Sequence, residues 1–424
     1  MIKPVKSDDE EVHDDGPASA PSGHDYASVN DPHRHRHYNS YFQASVTLNI
    51  ALILSSIFMS VLIHKMARES ASSEHSNEYS SFPELRWRPL PDEKEVIHRV
   101  AFGSCSSQRM PQPYWDIVTV FEPDILLLMG DNVYGDCEPL PSNNTPVDPI
   151  AVEKACAPLE QAYRDMANHP SVQGAAGRIP VFATLDDHDY GISDANTFNP
   201  YKDVARELFR DFFNINDLPI DGVYRSKTWG PTGQRLQVIL LDTRYSRSPF
   251  RTTGDPTMPF EPHQDESSTN ANDTLSESKR MLSDEQWTWL EARLSEPADL
   301  RVIVSSIQVL NSVTPFECWR HIPAEQTRFI NLIRSKSALL LSGDRHVGGF
   351  YWNEDGTIIQ EVTASSWTHT IPYGAFDNCS SASECDENDP MRDGDFVRDN
   401  HFGSLEIDWE NHTASGSLEE KRCW

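Results

Sequence analysis

The sequence predicts a layered α/β fold with two sheets in the middle, and three observations carry that expectation. From about residue 95, short apolar runs rich in β-branched residues alternate with amphipathic stretches of helical spacing. Further strand-like runs follow near the end of the chain, beyond the alternating region. At 424 residues the chain is long enough for one large domain with an ample core, plus extra segments.

The elements follow in order. Residues 1–43 mix Asp, Glu, His, Pro and Ser with little apolar periodicity and read as a disordered cytosolic tail. Its alternating His33, His35 and His37 read as a solvated tract. Residues 44–64 read as a transmembrane helix, because no residue from Ala44 to Ile63 is charged. A cleaved signal peptide sits nearer the start and has a shorter apolar run, so a retained signal anchor in the bilayer is expected. Residues 65–94, rich in Ser, Glu and Pro, read as a stalk.

The remainder, 95–424, is expected to be the folded domain. Strands are expected at 96–102, 124–129, 179–184, 236–241, 302–306, 338–341 and 357–363. Helices are expected at 113–121, 155–166, 204–213, 283–294 and 324–333, with Ser283 and Gln286 forming a capping box ahead of Trp287. The polar, Pro-containing segment 248–279 reads as a mobile loop over one face.

The formal charge of -29 argues against nucleic-acid coating. An anionic substrate would need a locally positive site, which metal ions and inward-facing arginines supply. The seven cysteines, at 105, 137, 156, 318, 379, 385 and 423, all lie beyond the apolar run, as do sequons at Asn143, Asn272, Asn378 and Asn411. Together they indicate a glycosylated, disulfide-bearing domain outside the cell or in the secretory lumen, hence a single-pass type II membrane protein. One cysteine is left over if the other six pair.

Three clusters carry the chemistry: Gly130-Asp131-Asn132-Val133-Tyr134, Asp186-Asp187-His188-Asp189 and Gly343-Asp344-Arg345-His346. Each follows an apolar run, so each is delivered to a sheet edge by a buried strand. Carboxylate, phenolate and imidazole are hard or borderline ligands, and several at strand ends can hold more than one ion. Asp131 can bridge two ions, and Tyr134 can reach back to the same centre. Three carboxylates within 186–189 would repel one another without cations or donors. His188 is suited to touch a phosphoryl oxygen or leaving group. Cys105 fits either the unpaired thiolate beside a metal, a nucleophile, or a disulfide partner. Between the clusters, Arg244 and Arg247 follow Asp242 and either grip phosphate bidentately or pair with that Asp for structure.

With these residues assembled, the chain resembles the PhoD-like alkaline phosphatases within the calcineurin-like metallophosphoesterases. The resemblance runs from about Val96 to Thr370 and extends to the stretches 282–290, 304–308, Glu317-Cys318-Trp319 and Thr363-Ala364-Ser365-Ser366. It implies a four-layer α/β/β/α sandwich that hydrolyses phosphate monoesters through a metal-bound hydroxide, with Fe3+ and Ca2+ as cofactors, or Zn2+ or Mn2+ as in related folds. By motif match, Cys105, Asp131, Tyr134 and His346 would hold the iron, while Asp187 and Asp344 would face the second metal. His188 matches the position that assists the phosphoryl group, and Arg244 or Arg247 would help hold it. The chain departs from the family pattern at Leu185, where Trp is usual, and at Ser193, where Asn is common. A phosphodiesterase acting on lipid or nucleotide esters and a non-catalytic cell-surface binding module are the alternatives.

Overall fold

The computed structural model describes residues 82, 85–140, 148–263, 279–353, 360–374 and 380–420. The expected tail and span, residues 1–64, lie outside them, as does most of the stalk. Among the described residues no helix is long and apolar enough to cross a membrane.

Apolar runs become β1 (Arg99–Gly103), β2 (Ile125–Met129) and β3 (Val181–Thr184), which pair in parallel. Antiparallel β13 (His401–Asp408) and β14 (Thr413–Glu420) extend this sheet in the order β14-β13-β1-β2-β3. The second sheet uses β4 (Arg225–Trp229), β5 (Leu236–Leu240), β8 (Leu300–Ser305), β9 (Ala338–Ser342), β10 (Gly348–Trp352), β11 (Gln360–Ala364) and β12 (Arg392–Val397). Their order is β12-β10-β11-β9-β8-β5-β4, with β5, β8, β9 and β11 parallel. β6 (Arg251–Asp255) and β7 (Met258–Glu261) pair as a separate hairpin.

The helices are α1 (Pro113–Phe121), α2 (Pro149–Ala155), α3 (Ala157–Ala167), α4 (Pro170–Ala176), α5 (Lys202–Phe213), α6 (Asp284–Leu294), α7 (Pro323–Ile333) and the short α8 (Ala382–Cys385). The capping box at Ser283 forms, the Ser283 side chain accepting from Gln286 N.

Strand alternation sorts the core into three buried clusters. Leu126 and Leu128 of β2 pack with α1, α3, α4 and α5, whereas Ile125, Leu127 and Met129 point to the other sheet. In β5, Val238 and Leu240 meet the first sheet, while Ile239 packs with α6 and α7. The described residues therefore stack as helices, sheet, sheet and helices. Parallel strands covered on both faces read as continuous apolar runs, which is why they were recognisable.

Several expectations are corrected. Phe82, Leu85 and Trp87, assigned to the stalk, pack into the first helical cluster, Trp87 stacking on Phe213 at 5.5 Å, so the domain begins before residue 95. The helix expected over 155–166 is α3, and a further helix that was not expected, α2, precedes it and ends at Cys156, where Pro158 opens the first turn of α3. The segment 248–279 was expected to be a mobile loop, but β6 and β7 occupy part of it; residues 264–278 lie outside the described ones. Strands such as β4, β12 and β14 escaped notice because they lie at sheet edges and carry polar or small residues.

One buried histidine makes the fold acid-sensitive. His401 is 0% exposed, its Nδ1 bonds Asp399 O at 2.8 Å and its Nε2 has no partner. Burial lowers its pKa to about 4. The stability this provides is complete above the unfolded value near 6.5 and is lost as pH falls toward 4. Melting of the full chain followed from pH 7 to pH 4 should show a loss of about 3 kcal/mol from this residue alone. His401→Asn should flatten the slope; an unchanged slope would assign the acid sensitivity elsewhere.

Candidate metal centre

Every candidate ligand follows the carboxyl end of a parallel strand: Cys105 after β1, Asp131 and Tyr134 after β2, Asp187 after β3, and Asp344 and His346 after β9. Ligand sites form where such ends open into a crevice. Two glycines allow the close approach. A Cβ at Gly130, whose φ is +112°, would strike Asp186 Cβ, and one at Gly343 would strike Ser104 Oγ. Cys105, Asp131, Asp344 and His346 themselves have φ between 52° and 70°. Left-handed backbone at non-glycine residues is costly and gathers at functional sites.

The side chains form overlapping groups. Cys105, Asp131 and His346 bring one ligand atom each within 4.8 Å of one another; so do Asp131, Asp187 and His188, and again Asp186, Asp187 and Asp344. Asp131 thus belongs to both ends of the site. Its Oδ2 accepts from Tyr134 OH at 2.8 Å and lies 3.7 Å from Cys105 Sγ, and Tyr134 OH is 3.1 Å from His346 Nε2. Cys105 is free and buried, with its Sγ 3.2 Å from Ser365 Oγ.

The electrostatics favour a cation. Burial and then the Asp187 charge raise the Asp131 pKa well above its usual range; burial and then Asp186 do the same to Asp344. Burial and Asp131 likewise push the Cys105 thiol and the Tyr134 phenol upward. Asp186 Oδ2 is buried with no partner. Buried carboxylates that crowd a thiol, a phenol and an orphaned oxygen are a donor set that a multivalent ion would satisfy, and the residues present fit a metal.

His188 sits at the rim. Burial opposes its charge, but its 2.8 Å bond from Nδ1 to Asp136 and the Asp131 and Asp187 carboxylates raise its pKa to about 10. His346 is the reverse, since burial and its neighbour His369 lower it to about 3, leaving a neutral ring suited to ligation. At Asp187 burial is outweighed by Arg244, His188 and the Asp194 amide, which hold it at about 2.

The cluster at 186–189 does not alternate as an extended strand would, because β3 ends at Thr184 and a turn follows. Asp187 and His188 reach the site, whereas Asp189 turns back to accept from Asn132 N, Asp186 N and Tyr163 OH, each at 3.0 Å. It fastens the first two clusters together.

Arg244 and Arg247 are placed differently from the expectation that they hold a phosphoryl group. Both are fully buried, at 0% and 1% exposure. Arg244 bonds Asp186 through Nε at 2.5 Å, Glu317 through Nη1 and Asp344 through Nη2 at 3.4 Å, and Arg247 bonds Glu317 at 2.5 Å. The Arg244 fork is filled by carboxylates, and Arg247 Nη2 is taken by Glu317 and by the Asp194 and Ala195 carbonyls, so both are buried in contacts within the protein. The expected partner Asp242 instead accepts the backbone amides of Arg244, Tyr245 and Val223. Glu317, Asp136, Ser365 and His369 carry no role legible in the sequence, because each lies in a loop without periodic pattern; Glu317 and Ser365 stand in short stretches that resemble the family.

The cysteines also differ from three disulfides with Cys105 left over. Cys137 bonds Cys156, Cys385 is disulfide-bonded, and Cys318 is buried and free, as Cys105 is. The Cys137–Cys156 bridge spans 19 residues and, with Cys137 N donating to Gly191 O at 2.8 Å, ties the Asp131–Asp136 loop to the His188 turn. Cys137→Ser is expected to lower stability by about 3 kcal/mol in the melting of the full chain. An unchanged melting temperature would mean the bridge is not formed.

No curated protein matches the chain. A solved structure titled "Structure of PhoD" aligns at a TM-score of 0.52 and 18% identity, covering 78% of this chain and 69% of that one, and so shares the fold. A crystal structure of 5'-nucleotidase from Candida albicans SC5314 aligns at a TM-score of 0.35 and 10% identity, covering 79% of this chain and 52% of that one. The model of the PhoD-like phosphatases matches residues 100–418, from within β1 to within β14 and through every strand end that carries the site, so this chain belongs to that metal-dependent family and is a phosphoric ester hydrolase.

Proposed function

We propose that the chain is a membrane-anchored phosphatase that hydrolyses phosphate monoesters at two metal ions sharing Asp131. The observation that carries this reading is the position of Asp131 between two clusters, grouped with Cys105 and His346 on one side and beside Asp187 on the other, with His188 bordering the second. The thiol, phenol and imidazole of the first suit Fe3+, and the carboxylates around Asp187 and Asp344 suit Ca2+. When bound, the ions supply Lewis-acid stabilisation of the phosphoryl oxygens and acidify a water.

The chain's own residues do the rest. Tyr134 and His346, hydrogen-bonded to each other, hold the Asp131 side of the site. Arg244, gripped by Asp186 and Glu317, keeps the Asp187 carboxylate ionised and lies 3.4 Å from Asp344. His188, cationic through Asp136, offers a proton to the leaving oxygen. Anchoring through residues 44–64 with the domain on the non-cytosolic side is supported by the uncharged run and by the Cys137–Cys156 disulfide, which belongs in an oxidising compartment. Asn411, an exposed sequon residue, is the described position for glycosylation.

The test uses the full chain purified in detergent, with elemental analysis beside turnover of p-nitrophenyl phosphate and bis(p-nitrophenyl) phosphate. Iron and calcium with faster monoester turnover is the expected result. Faster diester turnover would replace the monoester reading, and a folded, metal-free, inactive chain would remove it. Retention in the membrane pellet after alkaline extraction and a mobility shift on deglycosylation test the anchor.

A further inference from the structure

The loop after β11 brings a third imidazole to the site. His369 is held in place from both sides. Thr368 N donates to Cys105 O at 3.3 Å and Asn400 Nδ2 to Thr368 O at 2.7 Å, while Thr370 Oγ1 and Ile371 N both donate to His346 O at 2.9 Å. The backbone around His369 is therefore sewn to the two loops that carry Cys105 and His346. Its ring lies 5.1 Å from the Tyr134 ring and 4.3 Å from that of His346, yet it joins none of the ligand groups.

The hydroxyl of Thr368 bears on which nitrogen of this ring carries the proton. Its oxygen accepts from Ser107 N at 2.8 Å, which leaves its single hydrogen for either Cys105 O at 3.1 Å or His369 Nδ1 at 3.0 Å. With that hydrogen on Cys105 O, the 3.0 Å contact to His369 Nδ1 is made by Nδ1–H donating, and this is the arrangement the proposal takes. The neutral ring is left with a lone pair on Nε2. That atom bonds no described residue and is not among the buried atoms without a partner, so it is open to solvent.

His188 has the opposite arrangement. Its Nδ1 faces the Asp136 carboxylate, and its ring lies 4.2 Å from Tyr134. Two imidazoles thus border one tyrosine, the first presenting a proton and the second a lone pair. No carboxylate among the described residues pairs with His369.

We propose that His369 is a catalytic residue whose Nε2 accepts a hydrogen bond from the water that attacks phosphorus and so aims its lone pair. This rests on the phosphatase reading above. In the balanced step the water oxygen's pair forms the new P–O bond, and the ester P–O bond breaks with its pair on the leaving oxygen. The water's proton departs along the hydrogen bond to His369 Nε2, and the leaving oxygen takes the His188 proton. Phosphate and alcohol result, and exchange with solvent restores both rings.

The test compares the wild-type full chain with His369→Ala and His369→Gln. His369→Ala should lower kcat by about 10²-fold, with KM within about twofold and with metal content and melting temperature unchanged. His369→Gln, whose amide oxygen is again an acceptor, should recover part of the loss. Independently of turnover, nitrogen spectra of labelled histidines in the full chain loaded with diamagnetic zinc should show His369 as the Nδ1–H tautomer. An unchanged kcat, a loss of metal in step with kcat, a change confined to KM, or an Nε2–H tautomer would each overturn the proposal. An active wild type with an unaffected His369→Ala variant sinks this inference alone, whereas a wild type inactive on every phosphate ester sinks the phosphatase reading and this inference with it.

Discussion

Asp131→Asn is expected to lower kcat/KM on phosphate monoesters by about 10³-fold or more, since on the proposed reading metals held by Asp131 would stabilise several kcal/mol of transition-state charge. The substitution is close to isosteric, and asparagine tolerates the left-handed backbone that Asp131 adopts at φ 52°. The fold is therefore expected to survive. Elemental analysis should show metal lost from both ligand groups, not one, because Asp131 belongs to both. Stripped of metal, the variant should melt no lower than the stripped wild type, since it removes a buried carboxylate whose ionisation is opposed by burial and by Asp187. Full activity of this variant and of His346→Ala would remove the site assignment altogether.

Arg244→Met is expected to damage stability more than any other single change near the site. The guanidinium is 0% exposed and bonds Asp186 and Glu317, with Asp344 at 3.4 Å and Asp187 at 3.8 Å. Breaking a buried pair by removing one partner leaves an uncompensated charge and costs about 3–5 kcal/mol. Here Asp186 loses its cation outright, while Glu317 keeps Arg247. A melting temperature lowered by roughly 5 °C is the expected reading, with Arg244→Lys in between because it restores the charge but not the fork. A melting temperature within about a degree of wild type would show that the site tolerates free carboxylates at this depth.

The parallel strands and the three clusters were legible in the sequence because buried parallel strands are uniformly apolar and two of the three clusters open on Gly-Asp. Edge strands β4, β12 and β14 were not, because they carry polar or small residues and no sustained apolar run. The candidate ligands were legible for the same reason as the strands that deliver them. The direction each side chain takes was not: an extended strand would send Asp187 and Asp189 to the same face, but a turn sends Asp189 to Asn132 and Tyr163. Arg244 and Arg247 show a further limit. An arginine after a strand looks alike whether it faces substrate or carboxylates below, and only Glu317, far along the chain, decides which. Cysteine parity was misleading because it assumed one free thiol, whereas Cys318 is a second, buried and inert as an apolar packing residue.

The left-handed backbone at Cys105, Asp131, Asp344 and His346 ties the lifetime of the protein to its supply of metal. Each such residue holds about 1–3 kcal/mol of conformational cost, all four at positions that an ion would draw together. A ligand that binds only the folded state returns stability by mass action, about 4 kcal/mol at roughly a thousandfold excess over its Kd. Scarcity of metal would therefore do more than silence the enzyme. It would raise the fraction of opened chains exposed to proteases, so that abundance and activity fall together when the ions run short.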